Sequence, residues 1–147
     1  MRTIAVIILA MLCHYAGRSA CNNEDSLNKK IETAFKNAFT GAKYIHVEKQ
    51  KDLVKISFMQ EEQKMFAYYS DDGELVALGR NITVQQLPLS ASSRLKEKAE
   101  NKFLTELFEV SQNGETNYYA TIDDGEWSTI FIADGAGKWV VFKRSAD

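Results

Sequence analysis

Residues 64–80 read KMFAYYSDDGELVALGR, and residues 128–144 read STIFIADGAGKWVVFKR. At a spacing of 64, Gly73 falls on Gly137, Val76 on Val140 and Arg80 on Arg144. Each stretch is an apolar run, an Asp- and Gly-containing turn and a second apolar run. Asp and Gly tolerate the left-handed backbone of tight turns, so each predicts two antiparallel strands joined by a hairpin. Working outward, residues 27–80 fall on 91–144 without a gap. Asn37 meets Asn101, Phe39 meets Phe103, and apolar pairs such as Ile31/Leu95, Val54/Tyr118, Phe58/Ile122, Phe66/Ile130 and Leu75/Trp139 keep the register. A spacing held this long implies an internal duplication.

Each copy opens with a predicted helix. Leu27, Ile31, Ala34, Phe35 and Ala38 form one apolar stripe at helical spacing, with Asp25 or Ser26 placed to cap it. In the second copy Leu95, Ala99 and Phe103 make a thinner stripe, Pro88 suits the first turn, and Lys96–Lys102 is a solvated face. Strands are expected at 43–49, 53–60, 64–70 and 74–83, then at 106–112, 116–124, 127–133 and 137–143. Short polar connections imply antiparallel neighbours. The expected fold class is α+β: two tandem helix–β4 repeats forming an antiparallel sheet with helices on one face. The repeats span 24–83 and 88–144 of a single domain, 21–147.

Residues 1–20 read as an export signal. Arg2 gives a charged start, and Ile4–Cys13 is an apolar run too short to span a bilayer. Gly17 and Ser19 sit at −3 and −1 for cleavage before Ala20, and the exported chain is expected to begin at or near Ala20 or Cys21. A lipid anchor on Cys21 is disfavoured, because Arg18-Ser19-Ala20 lacks the aliphatic residue three before the cysteine. Removing Arg2 and Arg18 turns 18 basic against 20 acidic residues into 16 against 20, a net charge of −4. That balance attracts neither nucleic acid nor an anionic membrane. Cys21 is then the one remaining cysteine, so no internal disulfide is available and the core must carry the fold.

Catalytic chemistry finds little to use. His14 leaves with the leader, and His46 lies on a strand without an obvious nucleophile. No Cys-x-x-Cys or His-x-His spacing suggests zinc. Asp71-Asp72-Gly73-Glu74 and Asp123-Asp124-Gly125-Glu126 offer oxygens to calcium, but neither follows an EF-hand loop and Asp-Gly is ordinary turn chemistry. No cofactor, metal or enzyme activity is expected.

The stretch Ala67-Tyr68-Tyr69-Ser70-Asp71-Asp72-Gly73 and the phrase Gln86-Leu87-Pro88-Leu89 before the second helix carry a resemblance. Together with a duplicated helix–β4 layout over 24–144, the chain resembles the PepSY-like proteins, also described as β-lactamase-inhibitor-protein-like. The resemblance implies an exported Gram-negative protein that binds or inhibits other proteins, and it brings no catalytic residues. The aromatic-proline pairs often found at the helix ends of that family are replaced here by Phe39-Thr40-Gly41 and Phe103-Leu104-Thr105.

Strand alternation then assigns faces. Phe66 and Tyr68 are expected on the helix side with Val54, Ile56 and Phe58, and Phe35, Phe58, Phe66 and Leu95 are expected in the core. The helix-free face would carry Tyr69, Tyr119, Trp127 and Phe131, an aromatic surface suited to a partner. The functional expectation is an exported, periplasmic or extracellular, non-catalytic module that binds an unknown protein or peptide through this face. The alternatives are an envelope structural or self-associating protein and, less in keeping with the residues, a small hydrolase.

Overall fold

The computed structural model describes residues 28–146. The leader, its cleavage point, Cys21 and the expected caps Asp25 and Ser26 lie outside the described residues. Helix α1 (Lys29–Ala38) is capped by Asn28, whose side chain accepts from the Lys30 N–H. The same side chain donates to the Asp71 carbonyl, tying the helix start to a strand turn. Four strands follow: β1 (Lys43–Gln50), β2 (Leu53–Gln60), β3 (Gln63–Ser70) and β4 (Leu75–Asn81). A short 3-10 turn (Val84–Gln86) leads to α2 (Leu89–Lys98), then to β5 (Phe103–Gln112), β6 (Glu115–Asp123), β7 (Trp127–Ala133) and β8 (Val140–Ala146). The eight strands form one open antiparallel sheet in sequence order. The fold is therefore α+β, with an eight-stranded sheet and two helices among the described residues.

Both helices pack on the same face. Ile31 and Phe35 of α1 lie on Val54, Ile56, Phe58, Ala67 and Tyr69, while Ala91 and Leu95 of α2 lie on Leu107, Tyr118, Ala120, Ile122 and Ala133. Trp139 closes the second cluster, and its indole N–H donates to the Ala91 carbonyl at 2.9 Å. Gly137 (φ +77°) presses so near α2 that a Cβ there would sit 2.7 Å from the Ala91 nitrogen.

The gapless spacing of 64 does not hold throughout. It fits β2 against β6 and β3 against β7, where Ile56 and Ala120 both face a helix. The helices, however, begin at Lys29 and Leu89, a spacing of 60. Four residues enter because the β5–β6 hairpin is longer, adding Ser111–Gln112 and Glu115–Thr116 around its tip. Phe103 is accordingly no helix residue. The second helix stops at Lys98, the chain turns through Asn101 (φ +59°), and Phe103 opens β5 with its side chain in solvent. Phe39, by contrast, packs against Phe35 and Phe58.

The expected face assignment of β3 is inverted. The β2–β3 turn has two residues, Glu61 and Glu62, both with left-handed backbones (φ +48° and +66°). A two-residue hairpin pairs odd positions with even ones, so Val54 faces Tyr69, Ile56 faces Ala67 and Phe58 faces Met65. Tyr69 is thus under α1, and Phe66 and Tyr68 are on the helix-free face. All four expected core residues, Phe35, Phe58, Phe66 and Leu95, are buried, but Phe66 is buried on the side opposite to the one expected.

At the sheet margin, β1 begins irregularly. Its pairing with β2 slips between Lys43 and His46, and Tyr44 between them has φ +52°.

Candidate binding face

The helix-free face holds a third apolar cluster, contributed by strands alone. Its buried floor is Phe66, Tyr68, Ala77, Val110, Tyr119 and Ile130, and the partly exposed Leu53, Val76, Phe108, Ile132 and Phe142 pack against that floor. The members come from every strand from β2 to β8. Such breadth is unusual for the outer side of an antiparallel sheet, which is normally solvated and polar.

Aromatic rings run obliquely through this cluster. Tyr68 meets Phe66 edge-on at 6.5 Å, and Phe66 meets Phe108 edge-on at 5.3 Å. Phe108 is the cross-strand partner of Tyr119, which meets Phe142 edge-on at 6.0 Å. The Phe66–Phe108 contact spans an intervening strand, β4. It forms because β4 presents Gly79 there: a Cβ would lie 2.0 Å from the Phe66 ring. The glycine leaves a slot, and the ring fills it.

Two hydroxyls in this cluster are unpaired. The Oη atoms of Tyr68 and Tyr119 are buried and have no hydrogen-bond partner among the described residues. Burial penalises the phenolate and raises both groups above the ordinary tyrosine range; the Glu48 carboxylate adds to the effect at Tyr68. Because the folded pKa values are raised, this contribution to stability is complete below about pH 10 and is lost as pH climbs beyond it. Denaturant melts at pH 8 and pH 11 should show a drop that Tyr68→Phe and Tyr119→Phe each reduce. At pH 8 either change should cost nothing or gain up to about 1 kcal/mol, since it removes an unpaired buried hydroxyl. A loss above that size at pH 8 would mean the hydroxyl has a strong partner.

The polar margin of the face lies on β1 and β2. Lys55 Nζ is 3.2 Å from Glu48, and the exposed His46 imidazole is 3.7 Å from the same carboxylate, an ion pair only when protonated. The Asp-Gly turns spend their oxygens on their own backbone. Asp123 accepts from the Gly125 N–H, and Asp124 accepts from the Glu126 and Trp127 N–H groups, which hold its carboxyl below the usual range. Among the described residues no three His, Cys, Asp or Glu side chains converge as a metal site.

The four residues expected to share one surface do not. Tyr119 alone is on the helix-free face. Tyr69 is 1% exposed beneath α1. Phe131 packs against the α2 cluster with Lys98 Nζ 5.0 Å over its ring. Trp127, 38% exposed, shares the strand register of Phe131 and stacks under the Arg144 guanidinium at 4.5 Å. For Tyr69 the reason is the odd-to-even pairing set by the two-residue Glu61-Glu62 turn; Phe131 and Trp127 follow the β6–β7 register, in which Phe131 faces Ala120 on the helix side. Phe66 and Tyr68 were missed for the same reason as Tyr69, and the Glu61-Glu62 turn length was the signal that could have found them; Phe108 and Phe142 lie on β5 and β8, whose faces that turn does not set.

No family profile and no curated protein matches this sequence. Solved structures do share its fold. A protein of Bacteroides eggerthii described as periplasmic superposes with a TM-score of 0.72 at 11% identity, covering 80% of this chain and 87% of that one. A BLIP-like protein of Bacteroides fragilis gives 0.68 at 13% identity, with 80% and 86% covered. A DUF2874 family protein of Bacteroides uniformis gives 0.71 at 7% identity, with 80% and 88% covered. At these identities the likeness shows a shared fold, and that fold is BLIP-like.

Proposed function

We propose that the chain is an exported, non-catalytic binding module that holds a protein or peptide partner against its helix-free sheet face. The observation that carries this reading is the apolar cluster on that face, built by seven strands without a helix to cover it. Its partly exposed members, Leu53, Val76, Phe108, Ile132 and Phe142, supply the contact surface, and Tyr119 lies in the floor beneath. Tyr69 and Phe131 act as helix-side core, and Trp127 offers a separate exposed ring on their side of the sheet. The likeness to a BLIP-like protein and to a protein described as periplasmic supports both the binding role and export. The two helix–β4 runs derive from an internal duplication of a PepSY-like unit, with four residues gained in the second hairpin. No cofactor takes part, and a lipid anchor on Cys21 is not required.

Capture from the native envelope fraction tests this reading. The chain beginning at Cys21 should retain one dominant protein, and the double change Phe108→Ala with Phe142→Ala should lose it while melting cooperatively. Trp127→Ala should retain it. If Trp127→Ala loses the partner and the double variant keeps it, the helix-free face is not the binding surface.

A further inference from the structure

The helix-side core is divided. The α1 cluster draws on β2, β3 and Leu78 of β4, while the α2 cluster begins at Ile82 and draws on β5 to β7; the two share no residue. The division falls at the boundary between β4 and β5. That ladder is the shortest in the sheet: Leu78–Asn81 face Phe108–Ser111, and the Ile82 N–H extends it by one bond to the Leu107 carbonyl. Side chains cross the boundary on both faces. On the helix side Arg80 grips Glu109 through two bonds, Nε to Oε1 at 3.0 Å and Nη2 to Oε2 at 3.2 Å. On the other side Phe66 reaches over Gly79 to Phe108.

We infer that the β4–β5 seam is a joint about which the two halves of the sheet rock, and that the Arg80–Glu109 ion pair is the latch setting its angle. Few backbone bonds cross the seam, so rotation there disrupts less than at any other strand boundary. Neither helix bridges it. The Phe66–Phe108 contact is an edge-on pair of rings, which tolerates tilt, whereas a bidentate guanidinium–carboxylate pair fixes both distance and plane. Helix-free side chains on either side of the seam belong to one cluster, so the joint angle sets the curvature of that face. This inference needs no partner and does not depend on what the face binds.

Spin-label distances test it in the folded chain with Cys21 changed to Ser. Labels at Lys49→Cys and Glu126→Cys straddle the seam. Lys49→Cys with Glu74→Cys, and Glu115→Cys with Glu126→Cys, report within each half. All four positions are exposed. Glu109→Gln should widen the distance distribution across the seam and leave both internal ones unchanged. The exchanged pair, Arg80→Glu with Glu109→Arg, should narrow it again. If Glu109→Gln fails to fold, 1 M salt on the otherwise unchanged chain should give the same widening, because screening weakens a partly exposed pair. An unchanged cross-seam distribution, equal widening within the halves, or an exchanged pair that stays wide each overturns the joint.

Discussion

Phe66→Ala should destabilise the domain by roughly 3–5 kcal/mol, the range for emptying a buried phenylalanine site. The ring is 7% exposed and touches Tyr68, Phe108 and the Gly79 backbone, so its removal opens a void across three strands. Gly79→Ala should also destabilise, by about 1–3 kcal/mol, because the new methyl collides with that ring. The two changes are coupled. In the Phe66→Ala background the methyl enters the vacated slot, so the double variant should be more stable than the sum of single losses predicts, by about 1 kcal/mol or more. Urea melts of the four proteins measure this. Additive losses would show that the ring does not rest on Gly79.

Trp139→Ala should cost a similar amount, about 3–5 kcal/mol, from two sources. The indole is 5% exposed within the α2 cluster, and its N–H donates a second bond to the Ala91 carbonyl in the first turn of the helix. Trp139→Phe retains most of the packing and drops the bond, so it should lose about 0.5–1.5 kcal/mol, the net worth of one hydrogen bond whose acceptor keeps its helical partner. If the two variants melt alike in urea, the hydrogen bond rather than the ring volume dominates.

The sequence made the local elements legible and the faces legible only in part: Val54, Ile56, Phe58 and Tyr119 lie on the expected sides, while β3, Phe131 and Trp127 are inverted. Each of the eight expected strands and both expected helices overlaps an observed one, because apolar periodicity and turn residues are local signals, although β5 begins at Phe103 and β8 runs Val140–Ala146, each three residues from its expected start. Boundaries slipped where periodicity ran on past a turn, as at Phe103, which continues the Leu95 and Ala99 spacing yet lies beyond the helix. Face assignment needed one further quantity, the number of residues in each turn. Glu61-Glu62 does not look like a left-handed pair, since such turns ordinarily take Asn-Gly, as at Asn113-Gly114. Reading Gln60–Gln63 as an unspecified loop left the parity of β3 open, and with it the positions of Tyr69 and Phe66. The spacing of 64 had a similar weakness. It fits β2 against β6 and β3 against β7, and the four extra residues of the longer β5–β6 hairpin are invisible where identity is low.

The irregular start of β1 bears on how the molecule behaves at high concentration. An open sheet has two unlike margins, β1 and β8. Docking the β8 of one molecule on the β1 of another would be heterologous, and nothing in that geometry closes it, so repetition would build a filament. Val140 and Val141 make β8 a willing template. The slipped pairing near Lys43 and the left-handed backbone of Tyr44 interrupt the even row of amides and carbonyls that an incoming strand would have to copy. A chain of such contacts requires both margins, so one malformed margin works against edge-to-edge polymerisation.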